Sequence, residues 1–109
     1  MSVDFYLKPD DPEKKLTREE ISKNLEGKFR IFDIGLDADG FVSDFKLEQL
    51  NESIPEKLIF EFHRQDDGRW WHPVVAVSDE AFGFEQEVIG EVCVELGMEQ
   101  DFSDLENLL

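Results

Sequence analysis

Bases are scarce in this sequence, with 11 lysines and arginines against 27 aspartates and glutamates and a formal charge of −16. Direct binding to nucleic acid or to an anionic membrane needs a basic footprint, so both are excluded as expectations. Cysteine is scarcer still: Cys93 stands alone, which rules out an internal disulfide and any zinc site built from thiolates. Its setting in "EVCVEL" reads as a buried thiol rather than a nucleophile. No apolar run approaches the roughly 20 residues that cross a bilayer, and "MSVDFYLKPDD" lacks the basic and apolar segments of a signal peptide. A cytoplasmic protein is expected. Glycine-rich phosphate loops of the GxGxxG or Walker type are missing too, since Gly83, Gly90 and Gly97 are spread along one periodic stretch. No nucleophile elbow orders a catalytic triad.

What is present is enough apolar material for a core. Hydrophobic residues make up 40% of the chain, with ten Phe and two Trp, too many for a disordered polymer despite the charge. The length suits a single α+β domain over residues 1–109, with residues 98–109 as a possible acidic, leucine-bearing tail.

Local patterns set the element order. "SVDFYLK" alternates Val3, Phe5 and Leu7 against Asp4, as a first strand does. "LTREEISKNLEG" then begins a short helix: Thr17 and Glu20 have capping-box spacing, Leu16 can staple onto Ile21, and Gly27 suits the C-terminal end. Two hairpins follow. In "LDADGFVSDFKLE" two aspartates run into Gly40 as in a calcium loop, but an EF-hand would need an oxygen ligand at Gly35 and a bidentate Glu at Lys46. The same residues, Asp37 to Gly40, make a type I turn with a left-handed glycine. Leu36 is expected opposite Phe41, Ile34 opposite Ser43 and Phe32 opposite Phe45. Gln65, Asp66, Asp67 and Gly68 repeat the device. Here Leu58, Phe60 and Phe62 should share one face with Trp71, Val75 and Val77, leaving Glu61, His63, Trp70 and His72 on the other, with Pro73 marking an edge or a bulge. "QLNESIPEK" links the hairpins.

Ser78 is the expected N-cap of a second helix, whose stripe of Ala81, Val88, Ile89, Val92, Cys93 and Leu96 ends at Gly97. "EQDFSDLENLL" carries a further capping box, Ser103 with Glu106. The predicted fold is therefore a mainly antiparallel sheet of about five strands, in the order β-α-β-β-β-β-α, with two helices on its apolar face and a short C-terminal helical turn.

Two groups of residues bear on function. On the hairpin face that the first group shares, Glu61 is expected opposite His72 and His63 opposite Trp70; Glu61, His63 and His72 could hold a metal or move a proton, yet they lack any diagnostic spacing such as HExxH. As a half-exposed face with Trp70 they would instead supply aromatic protein contacts. The charge distribution is more informative. From Asp79 to Leu109 there are ten carboxylates and no base, and the other 17 acids and all 11 bases precede them. Glu87, Glu91 and Glu95 follow one another at i, i+4, where like charges cost a few tenths of a kcal/mol per pair. The last two also oppose the helix dipole.

The leading expectation is a non-enzymatic binding protein without cofactor or metal that neutralises a basic protein partner by occlusion. It would act as an immunity protein or antitoxin against a nuclease-type toxin, or as a phage-type mimic of nucleic acid. Glu87, Glu91, Glu95, Glu99 and Asp101 would meet the partner's bases, and Trp70, His63 and His72 would add contacts. The alternatives are an adaptor docking through "FSDLENLL" and an enzyme or metal protein built on Glu61, His63 and His72.

Overall fold

A computed structural model describes residues 4–49, 58–76 and 78–101 of the protein. The connector at 50–57, Val3 and Val77, and the capping box and leucines of 102–109 lie outside the described residues. In chain order the elements are β1 (Phe5–Pro9), α1 (Arg18–Leu25), β2 (Phe29–Leu36), β3 (Val42–Gln49), β4 (Ile59–Arg64), β5 (Trp70–His72), α2 (Asp79–Leu96) and β6 (Met98–Gln100). The fold is α+β, as expected, with one strand more than the pattern implies. All six strands pair antiparallel in the order β2-β3-β4-β5-β1-β6. The sixth is Met98–Gln100, where a tail is expected. Gly97 closes α2 in the left-handed conformation, and its carbonyl accepts a 3.0 Å hydrogen bond from the Asp10 N–H. The chain therefore leaves the helix directly onto the free edge of β1.

The caps form where the sequence places them. Thr17 Oγ1 accepts from the Glu20 N–H at 3.2 Å, and Ser78 Oγ accepts from the Ala81 N–H at 3.1 Å. Each satisfies one of the otherwise orphaned donors of a first helical turn. The box at Thr17 is only half closed, because the hydroxyl also faces Glu20 Oε1 at 3.3 Å. Ile21 and Leu25 of α1 and Val88, Ile89, Val92, Cys93 and Leu96 of α2 join Phe5, Leu7, Phe45, Leu47, Phe60, Phe62 and Trp70 in one buried cluster. Both helices thus cover the same face of the sheet. The other face carries no helix among the described residues.

Both Asp-Gly turns form, but both hairpin registers differ from the expected ones by one residue. Gly40 (φ 88°) and Gly68 (φ 91°) take the left-handed position that these turns require. The first residue of each turn still belongs to the ladder: the Asp37 N–H donates to the Phe41 carbonyl at 2.8 Å, and the Gln65 N–H to the Arg69 carbonyl at 2.7 Å. Leu36 therefore faces Val42 rather than Phe41, and Phe32 faces Lys46 rather than Phe45. In the second hairpin His63 faces Trp71, and Arg64 faces Trp70. A one-residue slip exchanges the faces of every side chain on a strand. Trp70 and His72 consequently enter the core, 2% and 0% exposed, and Trp71 moves to the outer face with His63. Pro73 marks neither an edge nor a bulge; it follows the last residue of β5, an interior strand.

β2 and β3 carry an irregularity that the sequence pattern does not announce. The register shifts on both sides of Gly35, and Asp33 adopts φ 50°. The backbone at Gly35 approaches the Asp44 carboxylate so closely that a β-carbon there would require the Asp44 side chain to shift. The bulge breaks the edge strand β2, which discourages pairing with another chain.

Candidate functional site

α2 positions acids on two opposite sides, and their surroundings differ completely. On the inner side Glu85 falls in the apolar stripe, four residues after Ala81 and three before Val88. It is 0% exposed, as is His72. The carboxylate meets His72 Nε2 and accepts from the Val75 N–H at 3.0 Å and the Ala76 N–H at 3.1 Å. His72 Nδ1 lies 2.8 Å from the Glu61 carbonyl oxygen, which can only accept, so this nitrogen carries a proton. Burial alone would raise the Glu85 pKa. Hydrogen bonds from His72, Val75 and Ala76, with the His72 charge, outweigh it and hold the carboxyl below its ordinary value. The two side chains thus form a buried, hydrogen-bonded pair. Phe5, Phe60 and Phe62 surround the imidazole at centroid distances of 5.9, 5.8 and 5.1 Å. The pair is sealed from solvent and holds the segment after β5 against the first half of α2. The sequence pattern does not single out Glu85. Its signal was an acid in phase with an apolar helical stripe, paired with a histidine in phase with a buried strand.

The outer face of the sheet carries the remaining sequence candidates. His63 and Trp71 pack with ring centroids 5.4 Å apart, while Glu61 lies across from Lys46. Glu61 and His63 thus face away from His72, and the sheet separates the proposed three-residue cluster. Among the described residues no group of three or more His, Cys, Asp or Glu side chains is arranged to hold a metal ion. Charges on this face alternate in sign and pair. Lys46 Nζ lies 3.4 Å from Asp33 and 3.6 Å from Glu61, and Arg30 lies 3.4 Å from Glu48. Arg69 bridges Asp67 at 2.8 Å and Asp101 at 3.1 Å, over the ring of Tyr6. Asp101 is therefore engaged at the sheet edge, and Glu99 sits across from Lys8 on β1. Neither belongs with the helix carboxylates.

Glu87, Glu91 and Glu95 do come together, on the outward side of α2. Glu95 holds Lys28 Nζ at 2.9 Å. That hydrogen bond, followed by the Glu95 charge and more weakly by Glu91, raises the Lys28 pKa above the usual lysine value, burial opposing them. Glu87 and Glu91 are exposed and form no ion pair among the described residues. Between these acids runs an open trough of about 410 Å³ lined by Lys28, Glu87, Gly90, Glu91, Val94 and Glu95. Val94 is 80% exposed, the most of any large apolar side chain described.

Comparison with known proteins adds no relative: no family model, curated protein or solved structure matches the chain. No described helix is long and apolar enough to cross a membrane. Cys93 is buried, and burial, with the negative charges of Asp10 and Glu99, pushes its thiol up to about 11. It is a core thiol with no nucleophile's environment.

Proposed function

We propose that the protein binds a basic protein partner and occludes its cationic surface with the outward face of α2. An immunity protein or antitoxin that blocks a nucleic-acid-handling toxin, or a phage-type inhibitor whose carboxylates stand where phosphates would, fits this chemistry. The observation that carries the reading is the pair Glu87 and Glu91: exposed, repeated at one helical turn, and without an ion pair among the described residues. Folding gains little from them, because like charges at i, i+4 oppose the helix and Glu91 acts on Lys28 only weakly beside Glu95. A basic partner would gain both steering from a distance and paired charges on contact. The sheet's outer face supports the contrast, because its acids already have bases beside them.

Affinity purification from the native cell with wild-type protein and a Glu87→Gln/Glu91→Gln variant tests the reading. A basic protein should be retained by the wild type, released by salt, and lost from the variant. Recovery of the same proteins by both baits, or of no basic protein, would overturn it.

A further inference from the structure

The trough on α2 has a shape as well as a charge, and the shape limits what can fill it. It is lined by Gly90 and Val94 together with Lys28 and the carboxylates Glu87, Glu91 and Glu95. A β-carbon built at Gly90 meets nothing within 4 Å, so packing inside the protein does not require glycine there. Glycine in a helix interior weakens the helix relative to alanine, and an 80% exposed Val94 one turn later adds nothing to the core. The chain itself shows how the trough takes a cation: Lys28 reaches in from the loop before β2, and its ammonium seats on Glu95 beside Glu91. One turn toward the N-terminus, Glu87 and Glu91 flank Gly90 in the same i, i+4 relation.

We infer that this trough seats a helix of the basic partner, crossing α2 at Gly90, with aliphatic side-chain stems on Gly90 and Val94 and lysine or arginine head groups on Glu87 and Glu91. This rests on the reading of the protein as a binder of basic partners, and deepens it by fixing the seat and the form of the occupant. Missing side chains let two helix backbones approach closely, and ridges of one helix then fill the groove of the other. Carboxylates spaced at one turn match cations spaced at one turn, because residues at i and i+4 on a helix are surface neighbours. Lysine and arginine combine an apolar stem with a charged head, which suits a lining of Gly90 and Val94 among carboxylates. Lys28 holds one carboxylate of the seat and competes with the incoming cations.

The test uses an alanine-rich helical peptide of about 18 residues, long enough to be substantially helical, with lysines at i, i+4 and a leucine between them. A peptide of the same composition with shuffled lysines is the control. Titration followed by NMR should shift the amides around Gly90 and Val94, with the shuffled peptide weaker. Gly90→Leu, which fills the open space at Gly90, should weaken binding roughly fivefold or more, the level that marks a contributing interface contact, while leaving the protein folded. Val94→Ser should act in the same direction. Gly83→Leu, exposed on the same helix but outside the trough, should leave binding unchanged, and Lys28→Gln should tighten it. If Glu87→Gln/Glu91→Gln weakens the peptide but Gly90→Leu and Val94→Ser do not, the trough is not the seat, although the charge reading stands. If Gly90→Leu weakens it and the Gln variant does not, the requirement for a basic occupant is overturned. Equal affinity for both peptides, or no shift at Gly90, overturns the inference as well.

Discussion

Glu85 and Glu87 lie two residues apart on α2 in opposite situations. Glu85 is fully buried against His72, with two backbone N–H groups completing its hydrogen bonds. Glu87 is exposed, with no ion-pair partner among the described residues. The first acid is tied into the fold and the second is available to a partner. Helical spacing produces the division, because positions 81, 85, 88, 92 and 96 face the sheet while 83, 87, 90 and 94 face away. The sheet's outer face is a third situation, where exposed acids have cross-strand bases. Under the proposed function, the acids that bear on partner binding are those that neither burial nor a neighbouring base accounts for.

The largest effect expected is at the buried pair. Glu85→Ala should cost about 3–5 kcal/mol, since it leaves His72 and two backbone donors buried without their acceptor. His72→Ala should cost a similar amount, measured by urea unfolding. A loss near that of an exposed substitution would erase the distinction between the two sides of α2. The same pair predicts a pH dependence. The Glu85 pKa is lowered in the fold, so its contribution is complete above the unfolded carboxylate value and is lost as pH falls through the lower, folded value. Asp37 and Asp67 shift in the same direction, mainly through backbone hydrogen bonds from Phe41 and Arg69. Urea midpoints at pH 7 and pH 3 should therefore fall toward acid, and a Glu85→Gln variant should lose less between the two than the wild type.

Smaller effects sharpen the contrast between the helix and the sheet. Gly90→Ala should raise stability by about 1 kcal/mol, the difference in helix propensity at an open position. A loss would mean that Gly90 serves packing, contrary to the open space above it. Lys46→Ala should cost at most about 1 kcal/mol, because surface ion pairs on the outer face are screened. Thermal denaturation reads both.

Much of this architecture was legible in the residues themselves. Capping at Thr17 and Ser78 is local chemistry, and so are the two left-handed turn glycines. Register was not, because in both hairpins the first turn residue keeps its ladder bond, a one-residue matter that carried Trp70 and His72 from the expected surface into the core. The bulge at Gly35 depends on how closely Asp44 approaches, a tertiary contact with no periodic signature. Glu85 was hidden by the rule that acids face water, which a buried histidine partner overrides. The trio Glu87, Glu91 and Glu95 was legible because helical spacing alone places it, whereas Glu99 and Asp101 separated from it when the chain turned at Gly97 into β6.

The most direct measurement is a paired one on Glu87→Gln/Glu91→Gln: the unfolding free energy and the association rate with the basic partner, the latter across a range of salt. Stability should stay equal or rise by a few tenths of a kcal/mol as like-charge repulsion is removed. Association should slow, and its salt dependence should flatten. A variant that unfolds would show the two carboxylates to be bound within the fold, and one that associates at the wild-type rate and salt dependence would reduce them to solvation. Either result contradicts the account.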